Sequence, residues 1–272
     1  MGDQTAKTTV RSLSIVDTIQ RLDGATLDEL TTELAMARST VHVHLRTLID
    51  HGYLTKEGEM YHVGLRFLNH GEYARSRKQA YVLAEETVSN LSEQIDEEVE
   101  FVVENNGRGI LVHESFHPDS QFDSKDSHTS KSITAAGIYY YLHSVATGKA
   151  ILAEYPRDRV EEIVGQWGLQ EQTEKTITDQ DSLFESLDAI KERGMAFADE
   201  EYVNGLREVG RIVKNPDGSI LGAIAVIGPT YRFQNERFNN EIPDILTEYV
   251  TSLEKEIEDV YREEHFRTDD LP

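Results

Sequence analysis

Apolar positions recur with a helical period through the first fifty residues. From Lys7 to Leu22 the set Val10, Leu13, Ile15, Val16, Ile19 and Leu22 makes one stripe and predicts a helix. Thr26 is a hydroxyl N-cap with Glu29 three residues on, and Leu27, Leu30 and Leu34 continue the period, so a second, short helix starts in a capping box. A turn at Met36-Ala37 leads into a third helix that opens at Arg38 or Ser39 and runs through His51. Its inward positions are Val41, Leu45, Leu48 and Ile49, which leaves Arg38, Thr40, His42, Val43, His44, Arg46 and Thr47 facing out. Gly52 stops it. Tyr53-Leu54-Thr55 and Met60-Tyr61-His62-Val63 then alternate around the turn Lys56-Glu57-Gly58-Glu59, the pattern of a β-hairpin. Helix, helix and hairpin in this order predict a winged helix-turn-helix.

The pattern changes after Leu68. Arg66 to Arg77 is polar and helix-compatible apart from Gly71, and reads as a linker; Arg75, Arg77 and Lys78 form a solvated basic run in it. Val82 to Ile95 predicts an amphipathic helix. Glu98 to Val103 alternates apolar and acidic residues like a strand, Asn105-Asn106-Gly107 signals a hairpin turn, and Gly109 to Glu114 is the partner strand. A helix followed by a hairpin is how a GAF-like sensor sheet begins. His117 to Ser132 is almost wholly polar and reads as a loop able to cover a pocket. Glu162 to Leu169 and Asp181 to Arg193 predict helices, the second stopped by Gly194. Val209 to Val213 and Ile220 to Gly228 predict strands joined by the turn Asn215-Pro216-Asp217-Gly218. Phe238 to Tyr261 carries Ile245, Leu246, Val250, Leu253, Ile257 and Val260 on one stripe of a long helix. The expected fold is α+β in two domains: an N-terminal winged helix-turn-helix at 7–68, a linker helix at 69–82, and a C-terminal GAF-like α/β effector-binding domain at 83–266.

Charge sharpens this division. The net charge is −23, yet residues 1–80 hold ten Lys+Arg against ten Asp+Glu and five of the ten histidines. The rest of the chain carries 17 basic against 40 acidic residues. A neutral head on an acidic body is the asymmetry expected when only the head approaches DNA. Arg outnumbers Lys and acidic residues dominate, a composition that resembles halophilic, haloarchaeal proteins. At molar salt, counterion release contributes less to DNA affinity, so base contacts and dimerisation are expected to carry more of it. There is no cysteine, no apolar run of membrane-spanning length and no apolar leader, so the expectation is a cytoplasmic protein without disulfides or thiolate metal sites.

The third helix has the chemistry a major groove accepts: small or hydrogen-bonding residues at its start, then cationic and aromatic donors. The candidate DNA contacts are Arg38, Ser39, Thr40, His42, Val43, His44, Arg46 and Thr47, with Lys56 and Tyr61 on the wing. These residues also carry a family resemblance. Ser39, Thr40, Val41, Leu45, Thr47, Leu48, His51, Gly52, Tyr53, Leu54, Tyr61, Gly64, Leu65 and Leu68 stand where IclR-type transcriptional regulators place matching residues. Val43 departs from the usual Arg and His44 from an apolar residue, so the operator is not expected to be shared with relatives.

The second half resembles the same family. His143-Ser144-Val145-Ala146-Thr147-Gly148-Lys149-Ala150-Ile151-Leu152-Ala153 and the run from Arg193 to Glu208 match its effector domain, and the likeness extends from about Lys7 to about Glu264. The resemblance implies a small-molecule effector held between Ala146 and Thr147 on one wall, Ala198, Leu206 and Glu208 on another, and Ala225 with Ile227 on the floor. Glu208 replaces a residue that is commonly Cys, which disfavours a carboxylate ligand and suits a hydroxyl-rich one such as a sugar. Two placements stay open for Glu208: into the cleft, or away toward solvent, Arg207 or Arg211. The Tyr139-Tyr140-Tyr141 run, a departure from the family, reads as core packing before pocket lining.

Catalysis finds no complete constellation. Asp199, Glu200 and Glu201 lack a nucleophile, a cofactor motif and a metal set. His113, His117 and His128 read as solvated rather than as a metal site. The expectation is a non-enzymatic regulator with no cofactor and no metal, working as a homodimer or tetramer on a palindromic double-stranded DNA operator. It would govern a catabolic operon for a sugar or organic acid, more as a repressor than an activator. The alternative is a sensor whose winged helix binds a protein partner.

Overall fold

The computed structural model describes residues 5–116 and 137–269; the expected polar loop, with His117 and His128, lies outside them. The chain folds as two compact units divided between Arg75 and Ser76. Among the described residues no helix is long and apolar enough to cross a membrane.

The first unit packs α1 (Lys7–Arg21), α2 (Leu27–Glu33) and α3 (Arg38–Asp50) against a three-stranded antiparallel sheet of β1 (Ala25–Thr26), β3 (Met60–Val63) and β2 (Leu54–Glu57), in that order. The capping box forms as the sequence predicts: Thr26 N–H donates to Glu29 Oε2 at 2.8 Å, and Glu29 N–H to Thr26 Oγ1 at 3.3 Å. Ile15, Ile19, Leu30, Val41, Leu45 and Leu54 are buried together and fix the three helices. Gly52, with φ +75°, takes the left-handed turn that ends α3 and lets the chain reverse into the wing. Helix α4 (Arg66–Ser76) follows, and Gly71 sits inside it without breaking it.

The second unit is one six-stranded antiparallel sheet between two layers of helices. Its order is β6 (Tyr139–Tyr141), β5 (Arg108–Ser115), β4 (Glu98–Asn105), β9 (Ile220–Pro229), β8 (Leu206–Lys214) and β7 (Ala196–Asp199). Helices α5 (Gln79–Ile95) and α9 (Ile242–Asp269) cover one face, where Val99, Phe101, Val209, Ile224, Val226, Leu246 and Leu253 form the main core. On the other face lie α6 (Ala146–Glu154) and α8 (Gln180–Arg193), with α7 (Arg157–Trp167). The sequence pattern missed β6 and β7 because both are short edge strands, too brief for alternation to register. A π-helical turn at Arg237–Glu241 precedes α9, so the regular α-helix starts at Ile242 rather than at the expected Phe238, and it runs past Tyr261 to Asp269.

Strand register then decides which side chains meet. Ala198, Glu208, Ile227 and Glu98 lie opposite one another across β7, β8, β9 and β4, and Ala196, Gly210, Ala225, Glu100 and Glu114 form the next row, which reaches β5. Both rows face α6, because side chains alternate between faces along each strand. The acidic positions of the Glu98–Val103 alternation therefore point into the protein rather than to water.

Candidate functional site

On α3 the side chains of Ser39, His42, Val43 and Arg46 lie three and four residues apart and share one exposed stripe, flanked by the exposed Arg38 and Thr47. Val43 is 63% exposed, an apolar side chain held in water at the centre of this stripe. The cations are partnered: Arg38 pairs with Asp28 on α2, and Arg46 Nε lies 3.8 Å from Asp50 Oδ2. Thr40 is half-buried, and Lys56 on the wing is exposed.

Two residues expected to contact DNA are turned elsewhere. His44 lies on the back of α3, half-buried, with Nδ1 2.8 Å from Ser12 Oγ on α1. Its position, one residue before Leu45, places it at the edge of the packed stripe. Tyr61 is 7% exposed and belongs to the unit's core, with Lys56 Nζ 5.4 Å from the centre of its ring. The sequence assigned Tyr61 to the wing's DNA-facing surface; packed in the unit's core, with its strand paired to Ala25 on β1, the side chain turns inward instead.

In the second unit the structure brings together the residues carried over from the family resemblance. Ala198, Leu206, Glu208, Ala225 and Ile227 share the α6-facing side of the sheet, and Ala146 and Thr147 open α6 above it. Gly210 permits this close approach, since a Cβ there would lie 2.8 Å from the Ala146 carbonyl carbon. Glu208 turns inward rather than toward Arg207 or Arg211. Its side chain is buried, and Oε2 accepts the Ala146 N–H at 2.7 Å. A carboxylate thus caps the positive end of α6, where backbone N–H groups would otherwise receive an anion. Burial still pushes its pKa up, to about 7, against the lowering effects of the Ala146 hydrogen bond and Lys149.

Sequence reading missed the rest of the constellation. Glu98, Glu100 and Glu114 converge, each offering one carboxylate oxygen within 4.8 Å of the others. Tyr140 O–H donates to Glu100 Oε1 at 2.8 Å, and the Tyr140 ring meets Tyr202 edge-on at 5.2 Å. Tyr140 is therefore both buried core and a site residue. Burial is the main cause of the raised pKa values of all three glutamates, with Glu98 at about 8, Glu114 at about 7 and Glu100 well above the usual carboxylate range. Repulsion from Glu114 and Glu208 adds to the shift of Glu98, and Glu98 and Glu208 to that of Glu100. The signal was present in the alternation of Glu98 and Glu100, but only strand pairing shows that Glu114 and Glu208 face them.

The conspicuous acidic triplet behaves in the opposite way. Asp199 receives a two-pronged hydrogen bond from Arg207 at 2.8 and 3.1 Å, Glu200 pairs with Lys175 at 2.5 Å, and Glu201 pairs with the buried Lys149 at 2.6 Å. These carboxylates hold the end of β7, the loop that follows it and the start of α6 together.

A winged helix-turn-helix joined to an α/β domain with an inward-facing polar cluster defines the class of two-domain transcriptional regulators. The sequence comparisons narrow the class. Residues 8–58 match the family described as "IclR helix-turn-helix domain", and residues 75–254 match "Bacterial transcriptional regulator IclR C-terminal". The chain is 30% identical over 250 residues to the probable HTH-type transcriptional regulator ArcR of Halobacterium salinarum, covering 92% of this chain and 93% of that protein. It is 29% identical to the HTH-type transcriptional regulator KdgR of Escherichia coli, over 84% of this chain and 81% of that protein. The IclR transcriptional regulator from Alicyclobacillus acidocaldarius shares the fold, with a TM-score of 0.76 at 17% identity over 93% of this chain and 99% of that one. The chain belongs to the IclR family of DNA-binding transcriptional regulators. Its relatives are regulators, not enzymes, which agrees with the pairing of Asp199, Glu200 and Glu201 into a structural role.

Proposed function

We infer that the chain is a cytoplasmic, metabolite-controlled regulator of a catabolic operon, acting as a repressor through a dimer or tetramer on a palindromic operator. The exposed stripe of Ser39, His42, Val43 and Arg46 supports α3 as the reading helix, because a major groove admits one helix and rewards short polar and cationic side chains. Arg38, Thr47 and Lys56 flank that stripe and are assigned to the phosphate backbone or the groove edge. Thr40, half-buried, is assigned to the edge of that stripe. Paired heads would meet half-sites about one helical turn apart.

The observation that carries the effector assignment is the Glu208 carboxylate on the Ala146 N–H. The position that would receive an acidic effector is already taken by an acid of the chain itself. With Glu98, Glu100 and Glu114 on the same face, carboxyl groups are placed to exchange hydrogen bonds with hydroxyl groups and to repel a further carboxylate. The effector is accordingly a hydroxyl-rich metabolite, such as a sugar or sugar derivative, lying over Ala225 and Ile227 between Thr147 and Ala198, with Leu206 at its rim.

Genome-wide occupancy of the tagged protein with and without a change of carbon source tests the reading. Discrete palindromic sites that empty when one sugar is supplied are expected; uniform occupancy would favour the alternative, a winged helix that binds a protein partner. On an identified operator, Arg38→Ala with Arg46→Ala should abolish specific retention while the oligomer in gel filtration is unchanged. At lower salt, where residual binding can be measured, the log–log salt slope should fall by about 0.9, for the phosphate that Arg38 no longer neutralises, and loss of Arg46 should narrow the preference for operator over other sequences. Unchanged affinity in that variant overturns the placement of the reading helix.

A further inference from the structure

The glutamates on the sensor face need more explanation than a hydroxylated ligand supplies. Glu98 and Glu100 project from one strand, Glu114 from its neighbour opposite Glu100, and three of their oxygens fit within 4.8 Å. Oxygen atoms that ligate one ion at about 2.3–2.6 Å span at most roughly twice that distance, so a calcium-sized ion can touch all three. The set contains only hard carboxylate oxygens, which suits calcium, magnesium or manganese over thiolate- and imidazole-seeking metals.

A second side chain points at the same place. Thr147 is 1% exposed, and its hydroxyl makes no hydrogen bond among the described residues. On a helix with 3.6 residues per turn, Thr147 and Lys149 leave the axis about 200° apart. Lys149 reaches the β7 flank, donating to Phe197 O at 2.8 Å and pairing with Glu201. Thr147 therefore projects to the opposite flank, over β4 and β5, where the glutamates lie. The preceding residues agree: Val145 packs with Val102 of β4 and Leu111 of β5. Tyr140, through its O–H on Glu100, fixes that carboxylate from the far side.

We propose that Glu98, Glu100 and Glu114, with the Thr147 hydroxyl, bind a calcium-sized divalent cation on the α6 face of the sensor sheet. Carboxylates ligate such an ion in their ionised form, so binding strengthens as pH rises. Its open coordination positions accept ligand oxygens, which makes it the natural bridge between three acidic side chains and a hydroxyl-rich effector. This bridging role rests on the effector reading above; the ion site does not.

The test uses the full chain, stripped with a chelator and dialysed into potassium chloride at pH 8. Calcium chloride is then added while the melting temperature and equilibrium-dialysis binding are followed, with magnesium and zinc in parallel. The expected result is saturable uptake of one calcium per chain and a rise in Tm of several degrees at saturation. Both should fall at least tenfold in apparent affinity in Glu100→Gln and in Glu114→Gln, whose amides keep the shape and remove the charge. If Glu100→Gln misfolds by circular dichroism, the half-buried Glu114→Gln carries the comparison. No uptake and no Tm shift in the wild-type chain overturns the site, as does unchanged uptake in the folded variants or a stronger response to zinc. Operator binding measured on the same samples separates the two ideas: sugar-released operator binding without calcium uptake leaves the regulator standing and removes the ion.

Discussion

Two acidic groups lie in the sensor domain, and they behave as opposites. Asp199, Glu200 and Glu201 are consecutive in the chain, and each meets a cation: Arg207, Lys175 and Lys149. Glu98, Glu100, Glu114 and Glu208 are scattered over a hundred residues, yet two rows of one sheet face gather them against one another. Burial holds the pKa of Glu98 at about 8, while pairing with Arg207 holds that of Asp199 below the usual carboxylate range. Adjacency along the chain marked a structural clasp. Adjacency across strands built the site. Glu97, next to Glu98 but just before the strand begins, makes the same point, because it is buried and answered by Arg232 and Arg237.

The contrast can be broken most strongly at Lys149. This lysine is 1% exposed and serves both Glu201 and the Phe197 carbonyl. Lys149→Ala leaves a carboxylate with little access to water and an unmet carbonyl, and should cost about 3–5 kcal/mol in denaturant unfolding. A loss below about 1 kcal/mol, the range of an exposed pair, would mean that the triplet is not held in the way described.

Glu98→Gln should act in the opposite direction and only above a certain pH. A carboxyl whose pKa rises from 4.5 to about 8 on folding keeps more protons in the folded state than in the unfolded one. Its contribution is neutral below pH 4.5, and stability is lost progressively as the pH climbs toward 8. The variant should therefore match the wild type near pH 4 and exceed it at pH 8, by on the order of 2 kcal/mol. Parallel stability curves across this range would show that the cluster does not titrate as a buried group. Because Glu98 also ligates the proposed ion, the comparison belongs in chelator.

The smallest effect is expected at Lys175→Ala. Its ammonium lies at the surface between Asp199 and Glu200, where water and salt screen the pair. The melting temperature at moderate salt should not move beyond replicate scatter. A clear loss would promote this outer pair to the standing of Lys149.

Much of the fold was legible because it rests on local rules. The Thr26 capping box, the Gly52 stop and the Asn105-Asn106-Gly107 and Pro216-Asp217-Gly218 turns each occupy a few residues and formed as predicted. The site was legible in outline through the family resemblance, which gathered Ala146, Thr147, Ala198, Glu208, Ala225 and Ile227. Missed were Glu98, Glu100 and Glu114, together with the inward turns of His44, Tyr61 and His113, the last expected in solvent but buried against Phe101. All six depend on which face a strand or helix presents, and a shift of one residue in a strand inverts that face.

By itself the sequence determined two domains, a winged helix-turn-helix, and a neutral head on an acidic body. These follow from helical period, turn chemistry and charge, which the chain carries locally. Tertiary structure alone decided that Glu208 caps α6 and that Glu114 joins Glu98 and Glu100 in one small space. Such contacts are fixed by sheet register and by the close approach that Gly210 permits, and the free energy that forces carboxylates together comes from the surrounding core.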